Sequence, residues 1–483
     1  MVRHSFRVGL SFCVLAFVSA AASAVETTVI DHVNLVDVKN GKLIENQRVV
    51  IEGENIARVE PASEAAFAAS VRIVDGRGKY LLPGLFDSHV HYISPETFGP
   101  MMIAHGVTFV RDMGGPTEFI LALRDQLNRG EVLGPEMIAT GAIVDGDPPI
   151  WPFSEACKTA DDARKAVRKL AKAGVDQIKV YSKLPAEAYQ AAIDEAGKQG
   201  LKAVGHIPHS VTLDDAIDAG QATIEHLDGF DVLMARAAGE EVPLPRPNRG
   251  KFTRWGLYPK ADKATPRKTY RRLRKTGVGM WKGERYARMS PGAKRTVPLM
   301  QQVVAELHEA GVTLLCGTDL ANPNVIAGHS LHEEMALFQD AGVPAADVLR
   351  SATITPAEVF GVADRLGTVE PGKTASLVLV EANPLADVRN ARKIDAVFLR
   401  GKYFDREALD KLLENAKRQA KGTMKTTETA EIDLSLPGEV ILRGRYRSKF
   451  MNMDGGTEDF IITKTPTGFS IKAHRQPTGG PQP

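Results

Sequence analysis

Segments in which apolar and polar residues alternate lie on either side of a long central region. Residues 29–59 alternate in this way, with polar turns at 39–41 and 52–55. Residues 368–379 and 396–403 have the same pattern. Because successive side chains of a strand point to opposite faces, these segments predict antiparallel β-sheet.

The central region alternates short apolar runs with helical stretches. Residues 161–174, 186–200 and 212–220 are predicted helices, and each closes at a glycine, as helix C-termini often do. The apolar runs predict buried strands, and several of them end in a polar residue: 81–91, 177–181, 203–206, 222–226 and 312–319. Strands that alternate with helices predict βαβ units and a parallel sheet. The expected fold class is therefore α/β.

The polar residues at the ends of these runs are of the types that bind divalent metals. His89 and His91 are two positions apart, so on a strand their imidazoles point the same way. In a parallel β/α barrel the C-terminal strand ends face one pocket, and four further candidates stand at such positions: Lys179, His206, His226 and Asp319. Neutral imidazole is a common ligand of zinc and similar metals. Two plainer interpretations stay open: the histidine pair could pack under a loop, and Lys179 could form a structural ion pair.

These residues and their surroundings resemble the amidohydrolase superfamily, in the branch with two metals bridged by a carbamylated lysine. The resemblance spans about residues 27–410 and is greatest to imidazolonepropionase-like and prolidase-like members. The matching stretches are 107–115, 178–181, 205–208, 224–227, 317–319, 328–334 and 372–378. The resemblance implies a (β/α)8 TIM-like barrel over residues 81–366, with a small β-sandwich built from residues 25–80 and 367–405.

The resemblance also implies a role for each candidate ligand. The expected ligands are, for one metal, His89, His91 and Asp319 and, for the other, His206 and His226. Lys179, carrying a carbamate formed from CO2, would bridge the two metals together with a hydroxide. Asp319 would act as general base and then as general acid towards the leaving amine. Zinc is the expected metal, and the same ligands accept manganese, cobalt or nickel.

Three further residues are candidates for contact with the substrate. Tyr181 lies two residues beyond Lys179 on the same face of its strand, although a role as a plain wall residue is equally open. His209 and His332 are candidates on weaker grounds, and a hydrogen-bonded structural histidine is the alternative for each.

Composition and the N-terminus bear on partners and location. The chain has 483 residues, and its formal net charge of +2 gives no reason to expect a nucleic-acid partner. Residues 1–24 combine a basic start, a short apolar core and an A-x-A end, which is typical of a secretory signal peptide rather than a membrane anchor. We therefore expect a secreted or periplasmic protein with no stable membrane insertion after cleavage. We expect the remaining Cys157 and Cys316 to be unpaired.

Two regions depart from the family pattern. Residues 241–295 are rich in arginine and lysine, and only 277–281 offers a candidate for the seventh barrel strand. A solvated, partly disordered surface insertion is expected here, with a lid over anionic substrate groups or a local coding error as the alternatives. Residues 406–431 predict an amphipathic helix and a linker, and residues 432–483 predict a β-rich extension.

The function expected from the resemblance is hydrolysis of a C–N bond in a small molecule. A linear amide, such as a dipeptide or an N-acyl amino acid, is the first expectation, with metal hydroxide as the nucleophile. A cyclic amide, as for imidazolonepropionase or dihydroorotase relatives, or a lactone is the alternative. A non-catalytic binding protein on the same barrel is a third interpretation, and Asp319 argues against it because binding alone needs no proton shuttle. A homo-oligomer is left open.

Overall fold

A computed structural model gives an α/β fold, as predicted. It describes residues 26–64, 66–246, 254–273, 277–279, 291–322, 324–424, 439–450, 453–465 and 468–476. Residues 1–24, the predicted signal peptide, lie outside the described residues, and their role stays a prediction.

The chain first forms strands of a flanking sheet. They are β1 (Thr27–Asp37), β2 (Lys42–Glu52), β3 (Asn55–Pro61), β4 (Arg72–Asp75) and β5 (Tyr80–Pro83). The pairs β1–β2 and β2–β3 are antiparallel, which confirms the prediction from alternation. β4 and β5 pair with β1 in parallel.

Strands and helices then alternate along the central region. The strands are β6 (Leu85–Val90), β7 (Val107–Asp112), β8 (Glu136–Ala139), β9 (Val144–Asp145), β10 (Glu155–Ala156), β11 (Gln177–Val180), β12 (Lys202–Gly205), β13 (Thr223–Ile224), β14 (Gly277–Gly279) and β15 (Leu314–Leu315). The helices are α1 (Pro95–Ala104), α2 (Thr117–Asn128), α3 (Ala160–Ala173), α4 (Ala186–Lys198), α5 (Leu213–Ala219), α6 (Phe230–Ala237), α7 (Ala264–Arg272) and α8 (Pro291–Glu309).

Two parallel sheets hold the central strands. One has the order β6–β7–β8, and the other has the order β10–β9–β11–β12–β13–β14–β15. Backbone hydrogen bonds join the two sheets at two places, one where β6 meets the turn after β15 and the other between β8 and the residue before β11. Asp319 N donates to His89 O at 2.8 Å, and Asp176 N donates to Ala139 O at 2.9 Å. Because neighbouring strands run in parallel, their carboxyl ends meet along a shared edge.

Helix α3 shows why the predicted helices lie where they do. Before its first turn, Thr159 accepts a hydrogen bond from Asp162 N, and the Asp162 side chain accepts one in return from the Thr159 backbone. The helix ends at Gly174, whose φ of 89° lies in the left-handed region that glycine adopts readily. α5 repeats the same start and the same end.

A glycine separates the flanking sheet from the central sheets and moves the predicted boundary. Tyr80–Pro83 lie in the flanking sheet, and β6 starts after Gly84. A Cβ on Gly84 would lie 2.0 Å from Thr108 Oγ1, so the chain passes β7 too closely for any side chain here. The predicted run 81–91 is therefore two strands in different sheets, and the central fold begins at Leu85 rather than at residue 81.

The C-terminal flank completes the flanking sheet. After α9 (His329–Asp340), α10 (Ala345–Ser351) and α11 (Ile354–Phe360) come β16 (Leu377–Val380), β17 (Ile394–Leu399) and β18 (Lys402–Phe404). β16 pairs antiparallel with β5, so the eight-stranded sheet has the order β18–β17–β16–β5–β1–β2–β3, with β4 beside β1. Both flanks therefore build one sheet together, and the second layer of a sandwich stays a prediction.

Alternation along these strands divides the buried side chains between two cores. Leu81 and Leu377 lie in a small core with Ile30. Their sequence neighbours Leu82 and Val378 lie in the large core of the central region. Adjacent residues point to opposite faces, so the flanking sheet packs on the central fold through one face only.

The described part of the basic segment 241–295 is packed, which corrects the expectation of a solvated insertion. Trp255, Tyr258 and Tyr270 are all buried. Strand β14 pairs in parallel with both β13 and β15, so it occupies the place of the predicted seventh strand. Residues 247–253, 274–276 and 280–290 lie outside the described part of the segment.

Pairing with distant acids explains how an acid-poor segment packs. Arg254 Nε lies 2.6 Å from Asp231 Oδ2 of α6, and Arg272 of α7 pairs with Asp214 and Asp218 of α5. The basic character of the segment is therefore matched by helices that precede it in the chain.

The C-terminal elements agree with their predictions. Helix α12 (Arg406–Met424) buries Leu409 in the large core. β19 (Glu439–Phe450), β20 (Met453–Thr465) and β21 (Gly468–Gln476) form an antiparallel sheet of three strands. Cys157 and Cys316 are buried and unpaired, as expected. Among the described residues, no helix combines the length and the apolar character needed to cross a membrane.

Candidate metal centre

Six predicted ligands lie in or just beyond the carboxyl ends of the central strands. His89 and His91 belong to the end of β6, and Lys179 lies in β11. His206 directly follows β12, and the other two stand in the turns shortly after β13 and β15: His226 and Asp319. Since these strands run in parallel, the fold brings six residues that are far apart in sequence to one edge.

Two of the histidines lie close to Asp319. Its Oδ1 lies 3.4 Å from His89 Nε2 and 3.4 Å from His91 Nε2. The ligand atoms of His89, His226 and Asp319 all lie within 4.8 Å of one another, and all three residues are buried. This grouping differs from the predicted division of ligands, in which His226 belongs to the other metal.

His206 and Lys179 extend the cluster on the side of β11 and β12. The ring of His206 lies 4.7 Å from the ring of His226, centroid to centroid. Lys179 is fully buried and lies beside Gly205, where a Cβ would stand 2.8 Å from Lys179 Cδ. Gly205 also has a φ of 125°, so glycine is required both for its backbone and for the room that the lysine stem occupies.

At two of the candidate ligands, the backbone adopts a conformation that costs free energy. His226 has a φ of 64° and Asp319 a φ of 59°, values that residues other than glycine seldom adopt. Such strain, on the order of 1 kcal/mol or more for each residue, persists where the surroundings impose it and is concentrated at functional sites. Both residues lie in turns shortly after two-residue strands, β13 and β15, and these turns bring each side chain into the cluster.

Hydrogen bonds at Nδ1 turn the Nε2 atoms of two histidines towards the cluster. His91 Nδ1 lies 2.9 Å from the carbonyl oxygen of Gly114, which can only accept. Nδ1 therefore carries the proton, and Nε2 presents its lone pair to the centre. His206 Nδ1 similarly lies 3.1 Å from Asp228 Oδ2 and 3.0 Å from Ser182 Oγ. Histidines that bind metals characteristically have such partners.

His89 is oriented by a buried charged network that the sequence analysis did not identify. Its Nδ1 lies 3.1 Å from Glu225 Oε2, and the other oxygen of Glu225 accepts from Arg111 Nη2 at 2.8 Å and from Thr223 Oγ1 at 2.7 Å. Arg111 also donates to the Ser88 backbone oxygen at 2.6 Å. The side chains of His89, Glu225 and Arg111 are fully buried, so these bonds replace the water that such charged groups would otherwise require.

One sequence feature could have indicated this network. Arg111 is a charged residue inside the apolar strand Val107–Asp112, and a buried arginine needs a partner. Its partner lies 114 positions further along the chain. No periodic pattern joins two such positions, so only the fold identifies Glu225.

Burial changes the pKa of groups at this edge. Burial, and next the charge of Lys179, lowers the pKa of His89 well below its ordinary value, which favours the neutral imidazole that a metal needs. Burial raises the pKa of Asp87 to about 7, although Thr318 donates to it through Oγ1 at 2.7 Å and through N at 2.9 Å. Burial likewise raises the pKa of Asp112, which accepts from Tyr92 N at 2.8 Å.

The candidate substrate residues have different positions. The ring of Tyr181 lies 4.1 Å from the ring of His206, and Lys179 Nζ lies 5.7 Å from its centroid. His209 lies on the loop after His206 and donates through its backbone N to Ser182 O at 2.9 Å.

We call the six candidate ligands the ligand cluster: His89, His91, Lys179, His206, His226 and Asp319. The structure does not bring His332 into the ligand cluster. This residue lies in α9, where its Nε2 contacts the carbonyl oxygen of His105 at 2.9 Å, and its ring lies 6.4 Å from the ring of His105. His105 directly follows α1, so His332 belongs to the helical layer, which favours the structural alternative.

The donor set fits divalent metal ions. Imidazole nitrogens with inward lone pairs and the buried carboxylate of Asp319 converge on a small volume. Electron-rich atoms at such distances repel one another unless a cation lies among them. Nitrogen and oxygen donors of this kind suit zinc, and they also suit other divalent transition metals.

Comparisons with known proteins agree with this architecture. The family model described as "Amidohydrolase family" matches residues 80–403. Adenine deaminase 2 from Latilactobacillus sakei is 23% identical over 370 residues, which cover 75% of this chain and 56% of the relative. The chain therefore spans little more than half the length of this relative.

Solved structures share the fold over most of their length. A protein assigned as a prolidase from Bifidobacterium longum is 25% identical with a TM-score of 0.62, and the match covers 82% of this chain and 100% of that one. Bottromycin amidohydrolase is 24% identical with a TM-score of 0.66, and the match covers 82% of this chain and 90% of that one. The family match spans well over half of the chain, and the resemblance noted from the sequence is confirmed: this chain belongs to the amidohydrolase family.

Proposed function

We propose that this protein is a metal-dependent hydrolase of a C–N bond in a small molecule, built on a (β/α)8 barrel with two divalent metal ions at its strand ends. The backbone hydrogen bonds that join the two parallel sheets at two places support closure into one barrel. The observation that carries the metal centre is the convergence of His89, His226 and Asp319 within 4.8 Å.

The proposed ligand sets follow the family resemblance. One ion would be held by His89, His91 and Asp319, and the other by His206 and His226, with Lys179 shared between them. Bound ions, most simply zinc, would supply Lewis acidity towards the amide carbonyl and would make water easier to deprotonate near neutral pH.

Lys179 is proposed to act as a carbamate formed with CO2. The side chain is fully buried in the ligand cluster, where an ammonium group would add a positive charge beside two cations. A carbamate is anionic and offers two oxygens, so it would offset that charge and give each ion a ligand. The space beside Gly205 accommodates the lysine stem.

Asp319 is proposed to move the proton. Its carboxylate would accept a proton from the attacking water and then donate it to the leaving nitrogen. The carboxylate lies against His89 and His91 on the edge where the scissile bond would bind. The turn at Asp319, with its positive φ, holds the carboxylate in that place.

Linear amides, such as dipeptides and N-acyl amino acids, are the substrates we propose first. The structural likeness to a protein assigned as a prolidase, at 25% identity over its whole length, supports this class. Removal of ammonia from a heterocycle is the second candidate, because the sequence relatives include adenine deaminases. Cyclic amides and lactones are further substrates for the same centre.

Release of amines from a defined library tests this proposal. Zinc-loaded protein would be incubated with dipeptides, N-acyl amino acids, adenine, cyclic amides and lactones, and the products would be identified by mass spectrometry. We expect release of an amino acid from a subset of the linear amides. Release of ammonia from adenine alone would replace this proposal with deamination, and turnover of none of these by protein that holds two metals would contradict it.

Export is also proposed, from residues 1–24 and the pattern at their end. The expected mature protein begins at Val25. N-terminal sequencing of protein recovered from a bacterial periplasm or culture medium tests this. An intact Met1 in the exported fraction, or retention in the cytoplasm, would contradict it.

A further inference from the structure

A row of aromatic rings leads away from the ligand cluster. The ring of Tyr181 lies 4.1 Å from that of His206, and Tyr181 OH accepts a hydrogen bond from Trp151 Nε1 at 3.2 Å. Trp151 in turn stacks on Phe153, with the centroids 6.0 Å apart and the planes inclined by 17°. Tyr181, Trp151 and Phe153 are all partly exposed. We call these three residues the aromatic wall.

The loop that carries the aromatic wall is held in place at several points. Asp145, at the end of β9, accepts from Ile150 N at 2.9 Å and from Lys183 N at 2.8 Å. Lys183 Nζ donates to Pro148 O at 2.9 Å, and Asp147 pairs with Lys158 at 2.9 Å. The wall is therefore largely formed in advance, which lowers the entropic cost of binding a ligand against it.

Exposed aliphatic residues lie on the segments that follow three of the central strands. Ile93 follows β6, Ile150 follows β9 and Ile326 follows β15, and their exposures are 53%, 41% and 42%. Ile93 lies two residues from His91, which is itself 21% exposed in its side chain while His89 is fully buried. Ile93 and Ile150 therefore place exposed apolar side chains close in sequence to the candidate ligand His91 and to Trp151, and contiguous exposed apolar groups mark binding sites.

We propose that the aromatic wall binds a flat apolar group of the substrate, so that the preferred substrates are amides with an aromatic ring. This inference rests on the proposed function, since it assigns the substrate class of the same site. The ring would lie against Trp151 and Phe153, while the polar end of the molecule reaches the ligand cluster past Tyr181. Stacking on aromatic faces and removal of apolar surface from water supply the affinity.

Binding of two matched acids tests the inference without turnover. Calorimetric titration of zinc-loaded protein would compare 3-phenylpropionate with propionate, which share a carboxylate and differ by the ring. We expect 3-phenylpropionate to bind about 10-fold or more tightly, the magnitude expected for burying one aromatic ring. Equal affinities, or no measurable binding of either acid, would overturn the inference. If the protein clearly prefers 3-phenylpropionate but hydrolyses no amide, the proposed function is contradicted while the binding of an aromatic ring is supported.

Variants of Trp151 and Tyr181 show whether Trp151 contacts the ring of the ligand directly or only positions Tyr181. Trp151→Ala is expected to lower the affinity for 3-phenylpropionate about 5- to 10-fold and to leave propionate within about 2-fold. Trp151→Phe keeps a ring but loses the bond to Tyr181 OH, and Tyr181→Phe loses that bond while keeping Trp151. Both variants should retain the preference for 3-phenylpropionate over propionate. Loss of this preference in both would show that Trp151 acts only through Tyr181, and it would overturn a direct contact between Trp151 and the ring.

Two further variants complete the test. Phe153→Ala should lower the preference for the ring by a smaller factor, and it replaces Trp151→Ala if that protein does not fold. Ile73→Ala is the matched control, because Ile73 is 46% exposed but lies in β4 of the flanking sheet. A loss of preference in Ile73→Ala as large as in the wall variants would contradict a specific site.

Discussion

The ligand cluster lies between two walls of opposite character. The deep wall is made by Arg111, Glu225 and His89, whose side chains are fully buried and joined by hydrogen bonds of 2.8 and 3.1 Å. The aromatic wall is partly exposed, and a hydrogen bond to Tyr181 OH and a ring stack connect its members. One wall is charged and closed, and the other is apolar and open.

Because of this difference, we expect the two walls to contribute to different properties of the protein. A buried charge is tolerated only with its partners in place, so changes in the deep wall are expected to reduce stability and metal affinity together. A partly exposed ring can be removed at less cost to the fold, so changes in the aromatic wall are expected to alter substrate preference. Asp319 and Lys179, the proposed proton carrier and the proposed bridging ligand, should affect the reaction most.

The largest effect is expected from Asp319→Asn. The amide keeps the size of the side chain but cannot accept the proton, so kcat should fall by about 10³-fold or more while the fold is retained. Steady-state kinetics and circular dichroism would measure both. Asp161→Asn, on the exposed start of α3, is the matched control. A fully active Asp319→Asn protein would contradict the proposed proton transfer.

Lys179→Ala is expected to reduce metal content. Removing the shared ligand should leave at most about one ion per chain instead of two, and short carboxylic acids should restore part of the activity by replacing the carbamate. Elemental analysis after dialysis gives the metal content, with Lys165→Ala on α3 as control. Two ions per chain in the Lys179→Ala protein would exclude a bridging role.

Arg111→Met tests the deep wall. The change leaves Glu225 without its cationic partner in a fully buried site, which should lower the free energy of unfolding by about 3–5 kcal/mol. Arg350→Met removes a more exposed pair with Asp347 and should cost about 1 kcal/mol or less. Urea unfolding measures both. If both variants lose a similarly small part of the free energy of unfolding, the deep wall does not stabilise the fold more than an exposed ion pair does.

His332→Gln should change how stability depends on pH. Burial lowers the pKa of His332 from 6.5 to about 4, so the neutral form stabilises the fold. This contribution is fully present above pH 6.5 and is lost as pH falls towards 4, with a total of up to about 3 kcal/mol. As pH falls from 6.5 to 4, the His332→Gln protein should lose less stability than the parent protein. His308→Gln, at a partly exposed histidine, is the control. Identical pH profiles of urea unfolding would contradict this.

Much of the fold follows from local patterns. Gly174 ends α3 as predicted because a left-handed residue after a periodic segment is a local property. The position of the six candidate ligands was predictable because a polar residue at the end of an apolar run is visible without knowledge of its partners. Alternation in the flanks likewise indicated β1 to β3.

Other features depend on residues that are distant in sequence. The break at Gly84 arises from contact with Thr108, and the network at Glu225 arises from an arginine on another strand. The packing of Trp255 and Tyr258 could not be read from a segment whose charges pair with acids on other helices. In each case the sequence shows the residue type, and only the fold supplies the neighbour.

A crystal structure of zinc-loaded protein, with anomalous scattering recorded at the zinc edge, tests the central claim most directly. The account predicts two anomalous peaks at the strand ends, together with density for a carboxylate on Lys179 Nζ. A single ion held by His89, His226 and Asp319, with Lys179 unmodified, would contradict it.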